Sequence, residues 1–470
     1  MASYLLLAIL TSLLFVLKKA WTAYFSPLAK VPGPWYTRFT ALPLMYHEFR
    51  GRRRTWIHGL HGEFGGVVRL APQEVGVLGG EEGRAIYEEG GSGFEKTGFY
   101  SLFMQFGTRT MFSTLERVGH AKKKRSLAAQ YSNTNVLNAS IIDGIKGRSE
   151  AFLKKCVEVK GSVDVYVLLH CYALDCVTHF LFGEEGTKSI EGGKDREMME
   201  ELSYHESLKE NLAQYYFPQY SWLLSKVFEA RPSPIANNYV LKHSKTTHPE
   251  GNTLLYTLKT SKQSWSDIEV AAESMDHLAA GIDTTGDALC FLMYHISLPT
   301  HLAIQDRLYR DLQSETQDSP YLDAVVKESL RMWPPIPMSM PRFVPPEGRV
   351  LSGYEIPGGT IVSCQAWSAH RLNEEVFPDG ERFVPERWLD EERKVEMERC
   401  FLAFGRGARG CTGRHLAMAE MKILLRDVYS RFRTVVARDM ESSMELDDQI
   451  ISSRPVDQCC KLVFEERLGM

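Results

Sequence analysis

No two of the nine cysteines stand in the C-x-x-C spacing of a zinc or redox site, so the sequence carries no sign of a zinc ribbon or a dithiol enzyme. They are scattered at Cys156, Cys171, Cys176, Cys290, Cys364, Cys400, Cys411, Cys459 and Cys460. That pattern suits reduced, mostly buried thiols in a cytosol-facing protein, with Cys411 set apart. Charge of one sign is lacking as well: the net charge of −4 points to no nucleic-acid partner and makes any electrostatic argument local. Internal repeats and low-complexity tracts are absent, which leaves a conventional folded body. With 470 residues, 44% of them hydrophobic, that body can bury a large core.

Long apolar runs are scarce, and the one that stands out, Tyr4 to Leu17, is shorter than the about 20 residues that span a bilayer. Lys18 and Lys19 follow with stems that can snorkel, and Trp21, Tyr24 and Phe25 suit a membrane interface. Residues 1–25 are therefore expected to form an N-terminal membrane anchor, a single transmembrane helix. A cleaved signal peptide is the alternative, but no basic residue precedes the run. Positive charge after the segment predicts that the rest of the chain faces the cytoplasm. In residues 26–34, SPLAKVPGP, three prolines and a glycine predict a stiff, extended hinge rather than a helix. Residues 35–470 make the globular body.

Within the body, VVRLAPQEVGVL from Val67 to Leu78 predicts short strands around a turn, and residues 115–230 read as mainly helical. Residues 231–264 are richer in Pro, Asn, Ser, Thr and Lys and read as a loop-rich connection with one short helix. Ser266 and Glu269 form a capping-box pattern ahead of a helix from Asp267 to Leu298, which Pro299 ends. At 1.5 Å per residue it is roughly 48 Å long and must cross the middle of a large domain. Short strands and turns are expected from Met332 to Trp388, and helix again from Gly413 to about Phe432. The fold class is mostly α with a minor β region.

The strongest motif is Phe404-Gly-Arg-Gly-Ala-Arg-Gly-Cys411-Thr-Gly413. Glycines at 405, 407, 410 and 413 permit a tight loop with positive φ angles. The cysteine ends the loop where a helix begins, so backbone N–H groups can stabilise a thiolate. Arg409 can meet an anionic group. A thiolate in a rigid loop beside a cation suits haem iron and a haem propionate; the alternative is a glycine-rich turn with an inert cysteine. The run resembles, at every defined position, the haem-binding signature F-x-x-G-x-R-x-C-x-G of the cytochrome P-450 superfamily. Three further family elements follow the same order, so the likeness extends from about Pro32 to the C-terminus.

That resemblance implies the cytochrome P-450 fold, haem b (iron protoporphyrin IX) as cofactor, Cys411 as the axial iron ligand and Phe404 beside the cofactor. In Ala280-Gly281-Ile282-Asp283-Thr284-Thr285, a mid-helix glycine costs about 1 kcal/mol against alanine, and Asp and Thr compete for backbone hydrogen bonds. A local widening of the helix is expected there. In the family that groove admits dioxygen, and an acid and an alcohol matching Asp283 and Thr284 relay protons. Glu328 and Arg331, three residues apart on one helix face, would join Arg387 of Phe383-Val-Pro-Glu-Arg387-Trp388 in a buried structural network. His120 and Lys124 in His120-Ala-Lys-Lys-Lys124 match propionate-binding positions, as does Arg342; Arg is commoner where Lys124 stands. The segment from Thr284 to Glu328 is short for the family, so a connecting helix is expected to be trimmed.

By the same resemblance the substrate pocket draws on Phe103, Phe106, His277, Ala280, Ile336, Met338 and Ile451, a set suited to a bulky, largely apolar substrate. The style is that of fungal microsomal enzymes of secondary metabolism, whose substrates include polyketides, terpenoids and alkaloids. The implied activity is a monooxygenase of the endoplasmic reticulum membrane. NADPH would act indirectly, through NADPH-cytochrome P-450 reductase, with cytochrome b5 as a second donor, because no flavin or nicotinamide domain is recognisable here. Lys122, Lys123, Lys124, Arg125, Arg406 and Arg414 would present a basic face to that partner. Two other readings stay open: a haem-thiolate isomerase or dehydratase that needs no reductase, and a non-catalytic haem-binding protein on a membrane.

Overall fold

The computed structural model describes residues 2–88, 93–203, 211–227, 233–313 and 319–467. Helix dominates. The helix Asp267–Ile296, here the central helix, starts at a complete capping box: the Ser266 hydroxyl accepts from the Glu269 amide and the Glu269 carboxylate from the Ser266 amide. Most of its length is buried, and it packs along the helix Val165–Phe182, itself buried on nearly every side. Two glycines set their separation. A Cβ at Gly281 would lie 2.7 Å from Val177 Cγ2, and one at Gly286 would lie 2.9 Å from the His170 ring. The central helix is α-helical without a break through Gly281. Close approach of a neighbouring helix, rather than a widening, accounts for that glycine.

The sheets are small. The largest has five strands in the order Val67–Ala71, Glu74–Val77, Ile361–Cys364, Arg342–Phe343, Glu95–Lys96. Only the pairing of Glu74–Val77 with Ile361–Cys364 is parallel. Its far edge places Lys96 directly opposite Arg342. A second sheet joins Ser162–Asp164, Lys461–Glu466 and Phe432–Val436.

Three expectations need correction. Residues 26–34 are not an extended hinge: Pro27–Lys30 is a short 3-10 helix, and Leu28 and Val31 are buried against the five-stranded sheet. The Arg69 guanidinium donates to the Leu28 carbonyl at 3.0 Å, so two apolar side chains and one cation seat this segment on the body. Residues 231–264 hold two helices, Pro234–Ser244 and Leu254–Thr260, and residues 231–232 lie outside the described set. The stretch after Met332 includes the helix Ala366–Leu372 among its strands. After the central helix, among the described residues one α-helix, Leu302–Leu312, leads to Pro320–Met332.

Candidate active site

The cysteine loop is held by its own backbone. The Cys411 amide donates to the Phe404 carbonyl at 2.7 Å, closing the turn. Gly405 and Gly407 take φ of +59° and +66°. Gly407 is also pressed against the Tyr87 carbonyl, where a Cβ would collide. Gly410 and Gly413 have ordinary negative φ, so only two of the four glycines serve the purpose expected. Cys411 then stands just ahead of the cysteine helix, Arg414–Tyr429. Enclosure by protein pushes its thiol above the ordinary value; the Gly413 and Arg414 amides and the charges of Lys124 and Arg414 act the other way.

Cys411 keeps an exposed surface. Ala279 and Ala280 are exposed too, although residues 270–275 and 285–293 of the same helix are buried. The two helices meet beside this open stretch, where the Thr285 hydroxyl lies 3.4 Å from the Glu420 carboxylate. Glu420 is wholly enclosed, and burial lifts its pKa to about 8.

Basic side chains gather at the loop. His120 is buried, and its pKa falls to about 3, first through desolvation and then through Lys96, Arg409, Lys124 and Arg342. Lys96 donates to the Phe112 carbonyl at 2.5 Å, and burial with the Arg342 and Arg409 charges pushes its pKa well down. Arg409 pairs with Glu95 at 2.5 Å, while its Nη1 finds no partner among the described residues. Arg342 donates to the Pro341 carbonyl at 2.9 Å and to the Tyr100 hydroxyl. The acids nearby are Glu95 and a half-buried Asp276, whose pKa desolvation raises to about 7. A cluster this rich in mutually repelling cations, with one guanidinium nitrogen unpartnered, fits a doubly anionic group such as the two propionates of haem. Lys124 differs from expectation: two of its three donors go to the Ala408 and Gly410 carbonyls, at 2.9 and 3.1 Å, and tie the cysteine loop down.

The acid–alcohol pair is in place on the central helix. The Ser203 hydroxyl donates to Asp283 at 2.9 Å, and the Thr284 hydroxyl donates to the Ala280 carbonyl at 2.6 Å. Burial raises the Asp283 pKa; His170 opposes it. Glu328, Arg331 and Arg387 do form a buried network, with Arg331 Nε at 2.9 Å and Arg387 Nε at 3.0 Å from the carboxylate.

The expected pocket residues separate. Phe103 and Ile451 join one cluster with Phe99, Tyr100 and Phe112, the Phe103 and Phe112 rings 5.2 Å apart. Phe106 packs on the main core at a φ of +50°. Ile336 is half-buried, Met338 buried and Ala280 open. His277 Nδ1 meets the Tyr131 hydroxyl at 2.9 Å, and its ring stacks on that tyrosine. Those polar and aromatic partners hold it, and burial lowers its pKa to about 4. The basic face shrinks as well. Lys123 is spent on Glu273 at 2.9 Å and Arg406 on Glu88 at 2.9 Å, whereas Lys122, Arg125 and Arg414 stay exposed.

Sequence reasoning missed Lys96, Tyr100, Thr285 and Glu420. For Glu420 a signal exists: an acid one turn from both Leu416 and Leu424 on a core-facing stripe. Lys96 has none, since only strand register brings it opposite Arg342.

The cytochrome P-450 family model matches residues 32–467. Curated relatives include the cytochrome P-450 monooxygenase tazI of Aspergillus terreus, 28% identical over 93% of each chain. The monooxygenase stcB of Emericella nidulans is 29% identical, covering 94% of this chain and 89% of its own. The monooxygenase aba2 of Botryotinia fuckeliana is 27% identical over 89% and 84%. With a match across nearly the whole length and its cysteine loop, cation cluster and acid–alcohol pair all present, the chain belongs to the cytochrome P-450 monooxygenase family.

Proposed function

We propose that this protein inserts one oxygen atom of dioxygen into a bulky, largely apolar organic substrate, using electrons that a separate reductase draws from NADPH. The observation that carries this reading is the cysteine loop itself: Cys411 is exposed just ahead of its helix with the basic cluster gathered around the loop, while Ala279 and Ala280 form an exposed stretch of the central helix just before Asp283 and Thr284. Haem bound there would supply the iron that activates oxygen, with Cys411 as its thiolate ligand. Arg409, Arg342, His120 and Lys96 would hold its propionates, Phe404 would lie beside it, and Lys124 would keep the loop in place. Thr284 passes a proton toward the reacting oxygen by rotating its hydroxyl off the Ala280 carbonyl, and Asp283 resupplies it after release from Ser203. The aromatic cluster of Phe99, Phe103 and Phe112 favours an apolar substrate. Similarity to fungal monooxygenases supports a role in secondary metabolism, on a polyketide, terpenoid or alkaloid.

The apolar helix Ala2–Phe25 would hold the enzyme on the endoplasmic reticulum membrane as a single pass, the body facing the cytoplasm. Lys122, Arg125 and Arg414 would steer an acidic reductase surface, or cytochrome b5, toward the cysteine loop. Thr284→Ala tests the relay. NADPH consumption should persist while product per NADPH falls about tenfold or more and peroxide rises. Unchanged product per NADPH would remove Thr284 from the reading.

A further inference from the structure

One turn beyond Asp283, Asp287 faces His170 of the neighbouring helix Val165–Phe182. His170 is 0% and Asp287 3% exposed. His170 Nδ1 lies 2.8 Å from the Tyr166 carbonyl, and a carbonyl only accepts, so that nitrogen carries a hydrogen. Nε2 and Asp287 Oδ1 face each other at 3.5 Å, and neither has a hydrogen-bond partner among the described residues. A neutral imidazole opposite an ionised carboxylate would set lone pair against lone pair in a buried site, at considerable cost. One proton therefore belongs to the pair, on Nε2 or on Oδ1. Gly286, beside Asp287, leaves room for the ring, since a Cβ there would come within 2.9 Å of it.

The other titratable or charged groups around the pair are Tyr166 on the ring's own helix, Asp283 and Cys290 on the central helix, and Arg454 on the strand Ser453–Pro455. Arg454 donates to the Ser203 carbonyl at 3.4 Å, while the Ser203 hydroxyl holds Asp283. His170 is thus a switchable cation, alongside the fixed charge of Arg454.

We infer that His170 and Asp287 are positioning residues: a pair that stores one proton behind Asp283 and decides whether Asp283 keeps its own. With the proton on Nε2, the imidazolium draws Asp283 toward its ionised form. With the proton on Oδ1, the pair is neutral and Asp283 holds its proton. Only the Nε2–H and Oδ1–H bonds are made and broken. The functional meaning rests on the Asp283–Thr284 relay proposed above.

The test is an infrared pH titration of the full-length haem-bearing protein, following the Asp283 carboxyl stretch, identified by its loss in Asp283→Asn. His170→Gln removes the cation, and Asp287→Asn removes the carboxylate that keeps the buried imidazole protonated. Both should move the Asp283 midpoint upward, by about one pH unit. An unmoved midpoint in Asp287→Asn, which keeps the shape of the site, overturns the inference, and that variant decides alone should His170→Gln fail to take up haem. Thr284→Ala should leave the midpoint where it is. Its product yield reports on the relay separately, so failure of one reading is distinguishable from failure of the other.

Discussion

Glu328 accepts from Arg331, Arg387, the Trp388 indole and the Val384 amide, all between 2.8 and 3.0 Å, in full burial. Removing its charge would strand two guanidinium groups. Glu328→Gln is expected to cost about 3–5 kcal/mol and leave little folded, haem-bearing protein, as read by denaturant unfolding and haem absorbance. Wild-type stability in that variant would show the network to be dispensable. At this scale the sequence shows residues whose partners are nearby or whose motif is dense: Glu328 and Arg331 by spacing, Cys411 by its glycines. It hides residues whose role depends on distant chain. His370 bridges the Arg331 carbonyl, at 3.0 Å, to the Leu402 amide, at 2.8 Å, linking this network to the approach of the cysteine loop. As a single histidine in a mixed segment it gives no sign of that. The Tyr131 partner of His277 is hidden for the same reason: the helix face is legible, but Tyr131 comes from far along the chain.

The central helix shows what an element's sequence can and cannot reveal. Its start is legible because a capping box is local, and its end because Pro299 forbids continuation. Gly281 is legible as an anomaly, but its reason lies on another helix. The stiff, β-branched Val177 occupies the space a side chain would need. Gly281→Ala gains about 1 kcal/mol of helix propensity yet must push Val177 aside, at about 1–3 kcal/mol, so it is expected to bring no net gain and a loss of up to about 2 kcal/mol. Thermal unfolding of the haem-bearing protein measures this; a raised midpoint would mean that the helices separate at no cost. Residues 26–34 follow the same logic: proline content suggests an open connector, whereas burial of Leu28 and Val31 depends on the sheet they meet.

At the scale of the molecule, two long apolar helices invite a membrane reading. The helix Val165–Phe182 is apolar enough, but it is buried on nearly every side, which makes it a core helix. The helix Ala2–Phe25 exposes Leu6, Leu7, Ile9, Leu10, Leu13 and Leu14 instead, and its 24 residues reach about 36 Å, enough for a hydrocarbon core of about 30 Å. Deleting residues 2–25 should move most of the protein from the membrane pellet to the supernatant; sedimentation as complete as that of the intact chain would contradict an anchoring role. The broad class, mostly helical with small sheets, is readable from hydrophobic period, and the site's centre from one motif. Of the cation cluster, Arg409, Arg342, His120 and Lys124 are reached through the family resemblance, whereas Lys96 is not, because only strand register brings it opposite Arg342. All of it serves the claim that Cys411 holds haem iron as a thiolate. The reduced, CO-bound spectrum of the wild type and of Cys411→Ser tests that directly. A thiolate-type Soret band in the wild type that vanishes in the variant is the predicted result, and a band that survives the substitution would contradict it.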